Sequence, residues 1–359
     1  METMKKTLLA VAIPALLFAN ATTAVELYND GVNTFAVGGH ITVGLDVPEE
    51  ADATLNSLSP RLNVEATRDL GEGFKLDLRS EWWVNVLDGG AETFTTRLGY
   101  IGLTHDVYGR AVAGTQWSPY YSVAGIAERT VSFGNGFLYN NHYNLGTARA
   151  EKMVSYSNKL DFDAAGQLKF GLGWQGKHTD SVTTIELVDA DVNLTDFAQV
   201  TKTDEYDTRL QAALTYQIMD FSIGYAYNTG DVNYSSVGSD QKALSQAVSA
   251  KYGAYGKGLY VAAVYADNEY MYNALAETTQ MEAIVAYALA NSLNFSGNYE
   301  AVEDGKLSAT VYSQLAFNIE YNFLDNVRGY AGYQFDLGGD GVYDTEKDNQ
   351  FALGVRVYL

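Results

Sequence analysis

Charged residues recur at every second position in several stretches of this 359-residue chain. Lys75, Asp77, Arg79 and Glu81 form one such run, and Arg61 with Glu65 another. Arg97, Arg149, Glu151 and Arg356 sit in similar surroundings. Rows of fixed charge of both signs set up a local field, and by themselves they break no bonds. Covalent chemistry finds no footing. There is no cysteine, so thiolate nucleophiles and thiolate metal sites are excluded. No Ser/His/Asp arrangement nominates a nucleophile. His105, His142 and His178 have no partner spacing and read as surface residues. The stretch Asp336-Leu-Gly-Gly-Asp-Gly-Val-Tyr-Asp344 offers oxygen ligands without EF-hand spacing, and it reads as a solvated loop, as do Asp231, Asp240 and Asp267. Gly125, Gly134 and Gly136 suit turns, and no strand-to-helix context surrounds them that would hold a phosphate. No cofactor and no metal is implied.

The elements that carry these charges are strands. The last nine residues, FALGVRVYL, place Phe351, Leu353, Val355, Val357 and Leu359 on one face and Arg356 on the other. Residues 34–47 set Phe35, Val37, Ile41, Val43 and Leu45 against His40, Thr42 and Asp46. Residues 61–69 and 74–86 alternate in the same way. Further segments begin near Thr96, Arg110, Arg149, Gln167, Tyr206, Phe221, Gln241, Gly258, Thr279, Ser292, Thr310, Arg328 and Asn349, which predicts about sixteen strands. Tight connections at 70–73, 106–109, 217–220, 288–291 and 324–326 alternate with longer polar stretches such as 180–205 and 228–240. Such an alternation predicts an up-and-down meander with short turns on one side and long loops on the other.

The N-terminus has a separate reading. Lys5 and Lys6 precede a short apolar run, 7–18, broken by Pro14, and small residues follow. This predicts a secretory signal peptide, residues 1–24, cleaved after Ala21 or Ala24. The mature domain, 25–359, would carry a net charge of −22, against −21 for the whole chain. So acidic a surface repels nucleic acid. The 27 tyrosines and only 4 prolines favour many strands. No apolar run after the signal is long enough for a helical membrane span. Charges at so many strand positions suit a wide barrel with a wet interior and an apolar outer face, which lipid requires to be closed.

Several stretches resemble the general diffusion porins of Gram-negative outer membranes. They are Val25-Glu-Leu-Tyr-Asn-Asp-Gly31, Pro60-Arg61-Leu62, Thr96-Arg97-Leu98-Gly99-Tyr100-Ile101-Gly102-Leu103, Gly114-Thr115-Gln116, Ala148-Arg149 with Val154-Ser-Tyr-Ser-Asn158, and Arg328-Gly-Tyr-Ala-Gly-Tyr-Gln-Phe335. The resemblance implies an all-β, transmembrane, antiparallel 16-stranded barrel that forms a homotrimer. Its third loop would fold into the lumen and form an eyelet with wall arginines. It also implies a passive, non-enzymatic outer-membrane channel for ions and small hydrophilic solutes, in contact with lipid and lipopolysaccharide.

Carried over residue by residue, Arg61, Arg97 and Arg149 match the wall arginines, and His40 falls where a basic residue is common. Alternation by itself turns His40, Arg61 and Arg149 inward. In loop 3, Glu128 matches an acid, Ser132 stands where a second acid is common, and Arg129 adds a positive charge. Lys75, Asp77, Arg79 and Glu81 would line the lumen. The family's inter-subunit latch would lie at 88–95, which is short here. Two other readings stand beside the diffusion channel. One is an oligosaccharide-type porin using Trp83, Trp117, Tyr120, Tyr121 and Tyr139 as stacking faces. The other is a closed barrel acting as an adhesin or anchor through 180–205.

Overall fold

The computed structural model describes residues 24–90, 93–134, 136–187 and 197–359. The expected signal peptide lies outside the described residues apart from Ala24, as do residues 91 and 92 of the expected latch. The first strands are β1 (Val25–Asn29), β2 (Asn33–Pro48), β3 (Thr54–Asn56), β4 (Arg61–Gly71), β5 (Phe74–Val84), β6 (Phe94–His105) and β7 (Gly109–Trp117). A segment containing two single-turn helices, α1 (Tyr121–Ala124) and α2 (His142–Leu145), follows. Next come β8 (Arg149–Asp161), β9 (Gln167–Gln175), β10 (His178–Leu187), β11 (Phe197–Ile218), β12 (Phe221–Asn233) and β13 (Asp240–Ala254). The chain continues through β14 (Lys257–Glu269), β15 (Thr278–Ala288), β16 (Leu293–Asp304), β17 (Ala309–Leu324), β18 (Val327–Asp336) and β19 (Gln350–Tyr358).

Sixteen of these strands, β2, β4–β9 and β11–β19, form a closed antiparallel barrel. β9 pairs directly with β11, and β19 closes onto β2, with Gln350 opposite Pro48 and Tyr358 opposite His40. The other three strands are extensions. β1 lengthens the seam by pairing with β2 from Val37 to Thr34. β3 adds a short rung to β2, and β10 pairs with the outer part of β11. The strand starts read from alternation correspond one for one to the barrel strands.

Three connections differ from expectation. The stretch 180–205 is largely a hairpin of β10 and β11 that outruns the barrel, and rungs such as Ser181–Thr203 (2.9 Å) and Thr183–Thr201 (3.0 Å) are joined by hydroxyls. Ser and Thr there erase the apolar alternation, while β-branched residues still favour extended backbone. β12 also runs on to Asn233, which shortens the expected 228–240 stretch to 234–239. The link 305–308 is as tight as the turns of the other end, so short and long connections do not alternate strictly.

Polarity is inside out. Ile41, Val43, Leu45 and Val47 are exposed on the outer face of β2, while His40 and Thr42 are buried. Leu353, Val355 and Val357 repeat the pattern on β19. Residues 118–148 join β7 to β8 and hydrogen-bond with the inward residues Gln211, Asn228, Ser245, Tyr260, Glu300 and Glu320 on β11, β12, β13, β14, β16 and β17. Tyr120, Val123, Ile126 and Leu138 of this segment pack on a small-residue surface that includes Ala213, Ala226, Ala247, Ala262 and Ala286.

Candidate functional site

Strand register assembles a basic wall. His40 of β2, Arg61 of β4 and Trp83 of β5 are successive cross-strand partners, so they share one face. Gly39 lets this happen. Its φ is +142°, and a Cβ there would lie 2.1 Å from the Arg61 carbonyl oxygen. Arg61 donates from Nη2 to Ser59 Oγ at 2.9 Å and lies 3.7 Å from Glu81. Arg356 of β19 donates to Thr42 Oγ1 at 2.9 Å. His40 is 3% exposed and meets the Tyr358 ring edge-on.

Arg97 arrives by a different route. Glu81 faces Leu98 and Trp82 faces Thr96, so Arg97 is the extra residue of a β-bulge. Its Nε donates to Glu81 at 2.9 Å. Glu81 also receives Arg79 Nη2 at 2.8 Å, and Arg79 pairs in turn with its cross-strand partner Glu65. Glu81, whose side chain is only 3% exposed, therefore joins Arg61, Arg79 and Arg97. The sequence reading placed Glu81 on the inward face without finding this hub.

Arg149 opens β8 and is held by residues of the preceding segment. Its guanidinium lies 5.3 Å from the Trp117 ring, 5.4 Å from Tyr139 and 5.2 Å from Tyr143. Arg149 Nε donates to Tyr143 Oη at 3.0 Å, and Nη2 lies 3.0 Å from His142 Nε2. Burial first, then the charge of Arg149, push His142 down to about 4. It is neutral at pH 7, with Nδ1 donating to the Tyr139 carbonyl at 3.0 Å and Nε2 accepting from Arg149. The surface expectation is corrected here for His142 and His178 and holds for His105. His142 is half-buried against Arg149, His178 is buried and stacked on Tyr206, and His105 stacks on Tyr108 at a turn. Their partners are aromatic rings, backbone groups and, for His142, an arginine, which ligand-spacing rules do not search.

Within residues 118–148, Glu128 is 8% exposed and accepts from Tyr121 Oη at 3.0 Å and the Leu138 N–H at 3.4 Å. Burial pushes its carboxyl up to about 8, with the Tyr121 hydrogen bond opposing and the charge of Glu300 reinforcing the shift. At pH 7 it is mostly protonated. Ser132 donates to Asn318 Oδ1 of β17 at 2.7 Å and so fastens the segment to the wall. Arg129 donates to the Ile126 carbonyl and lines a cavity of about 1000 Å³ on the short-turn side, which Arg61, Arg97 and Arg149 do not line. Lys75 and Asp77 also line that cavity, and Asp77 is paired with Arg110.

Three acids of the far wall escaped the sequence reading. Glu320 accepts from the Val131 N–H at 2.9 Å and from Arg328, and Glu300 accepts from the Gly136 N–H at 3.2 Å. Glu282 faces Glu300 across β15 and β16, and its carboxylate oxygens have no hydrogen-bond partner among the described residues. Inward alternation on β15–β17 was the signal that could have found them.

Comparison with known proteins agrees with this geometry. A family model described as Gram-negative porin matches residues 7–341. The chain is similar to outer membrane porin F of Salmonella typhimurium, at 26% identity over 98% of this chain and 99% of that protein. It is also similar to outer membrane protein F of Serratia marcescens, at 31% identity over 75% of this chain and 68% of that protein. Among solved structures, Salmonella typhi OmpF in complex with daunomycin superposes with a TM-score of 0.74 at 20% identity, covering 93% of this chain and all of that one. An anion-selective porin from Comamonas acidovorans superposes with a TM-score of 0.69 at 12% identity, covering 91% of this chain and all of that one.

Proposed function

On the footing that the chain belongs to the Gram-negative porin family, we propose a trimeric diffusion channel whose selectivity is set between residues 118–148 and the arginine wall. The coarser statement stands without a proposal: it is a general diffusion channel of the Gram-negative outer membrane and not an enzyme. The observation that carries the finer reading is the set of hydrogen bonds tying residues 118–148 to wall strands from β11 to β17. In this reading the segment lies in the lumen and narrows it. His40, Arg61, Arg97 and Arg149 form its basic side, and Glu128 and Ser132 belong to the segment that faces them. Arg129 adds its charge on the short-turn side. Lys75, Asp77, Arg79 and Glu81 line the lumen. The signal peptide is removed after Ala21 or Ala24, and the apolar outer wall meets lipid and lipopolysaccharide.

With Glu128 protonated and Glu81 saturated by three arginines, the constriction is net positive at neutral pH and prefers anions despite the acidic chain. Single channels in a planar bilayer under a KCl gradient test this. Closure in three equal steps and a reversal potential of anion-preferring sign are expected. A cation-preferring sign would sink the arginine wall as the selecting element. Of the candidate rings for sugar stacking, Trp117 and Tyr139 are covered by Arg149 and Tyr120 and Tyr121 are buried, which leaves the half-buried Trp83 beside Arg61 as the stacking face for that second reading.

Ion preference should also follow pH. Glu128, raised to about 8 by burial, is mostly neutral at pH 6 and gains its charge progressively as pH rises through 8. The cation-to-anion permeability ratio should therefore rise about two- to fivefold between pH 6 and 9, the effect of one unit charge a few ångströms away in water. Glu128→Gln should flatten the profile, and an unchanged slope in that variant would remove Glu128 from the selecting field.

A further inference from the structure

The cavity on the short-turn side of residues 118–148 holds a cluster of four basic side chains that form no ion pair among the described residues. Lys159 of β8 and Lys169 of β9 are direct cross-strand partners. Like charges in that relation destabilise a sheet unless a counter-charge joins them. Lys251 of β13 lies in the electrostatic neighbourhood of both Lys169 and Arg129. All four side chains line the same cavity of about 1000 Å³. Among the described residues no carboxylate forms an ion pair with any of the four. Lys169 donates to the Gln217 amide oxygen at 3.2 Å, and Arg129 to a backbone carbonyl at 3.0 Å. These neutral acceptors leave the charge in place. Five acids line the same cavity, Glu26, Glu65, Asp69, Asp77 and Asp106, of which Asp77 is engaged by Arg110 and Glu65 by Arg79, and Asp220 lies in the electrostatic neighbourhood of Lys251; none of them forms an ion pair with the four cations.

This arrangement stands in a chain with 44 acidic and 23 basic residues, where a random inward neighbour is more often acid than base. Lys159 and Lys169 also share a lateral row with Thr215, Gly224 and Ser249, which are short and neutral; Val123 packs over Gly224, while Thr215 and Ser249 line the cavity with the lysines. We propose that Lys159, Lys169, Lys251 and Arg129 form a binding site for small polyanions bearing phosphate groups, on the short-turn side of the constriction. The site rests on the channel reading and deepens it. An anion held there would neutralise the lysine pair and wait at the mouth of the narrow passage, raising its local concentration. Short turns face the periplasm in barrels of this kind, so the site is reached from within the cell envelope.

The test uses the full-length barrel in a planar bilayer, with inorganic tripolyphosphate added to the short-turn side as the probe. Saturable block of the KCl current is expected. In the Lys159→Gln/Lys169→Gln/Lys251→Gln variant the half-blocking concentration should rise on the order of tenfold. Lys169→Gln alone serves if the triple variant does not fold, and it should weaken the block in the same direction. Block restricted to the opposite side, an unchanged half-blocking concentration, or normal KCl current with no block would each overturn the site while leaving the channel intact. No KCl current from folded trimer would overturn the channel reading and the site with it.

Discussion

Glu81→Gln should convert the constriction to a strongly anion-preferring one and weaken the barrel wall. The carboxylate sits 2.9 Å from Arg97, 2.8 Å from Arg79 and 3.7 Å from Arg61. The glutamine keeps the shape and removes the only charge shared by the three. Breaking a buried ionic group by removing one partner costs about 3–5 kcal/mol. Water reaches Arg61 and Arg79, each with a quarter of its side chain exposed, so roughly 2–3 kcal/mol is expected here. Urea unfolding midpoints in detergent measure the stability. The reversal potential in a KCl gradient measures the field, and it should move further toward the anion limit. An unmoved potential would mean that ions pass at a distance from Glu81.

The second large effect concerns residues 124–134. Deleting them should raise single-channel conductance on the order of twofold and admit larger neutral solutes in liposome swelling. The reason is local. These residues include Ile126 and Ala127, which fill space above inward alanines, the buried Val131, and Gly134, which is held by Asn298. None of them belongs to a barrel ladder, so the wall keeps its pairing. The loss of two large apolar contacts, Ile126 and Val131, costs about 3–6 kcal/mol of packing. Unchanged conductance and solute cutoff would show that the narrowest point lies elsewhere.

Strand positions were legible because one rule, apolar outward and polar inward, holds along nearly every barrel strand. The rule fails where local structure breaks the period of two. Arg97 could not be assigned a face from alternation, because the bulge opposite Glu81 and Trp82 inserts it between two rungs. β10 was invisible because Thr and Ser occupy both of its faces. β14 carries a different message. Tyr260, Ala262, Val264 and Ala266 are inward and buried, while Val261 and Tyr265 are exposed. A strand apolar on both faces inside a wet barrel reports that something covers its inner face. That signal lay in the sequence and was passed over. The opposing acids Glu300 and Glu320 were missed for a related reason: their partners are backbone N–H groups of a segment about 165 to 190 residues away in sequence, which no periodicity reveals.

The seam where β19 and β1 both lie along β2 has a consequence in time. His40 finds Tyr358 across more than three hundred residues of chain, and although β1 can pair with β2 at once, no rung between β19 and β2 can form until β19 has been made and exported. Until then the chain in transit holds a growing sheet with two bare edges, each able to pair with a second copy or with itself out of register. Closure of the wall therefore waits for the nine-residue strand β19, however early the rest of the sheet has paired.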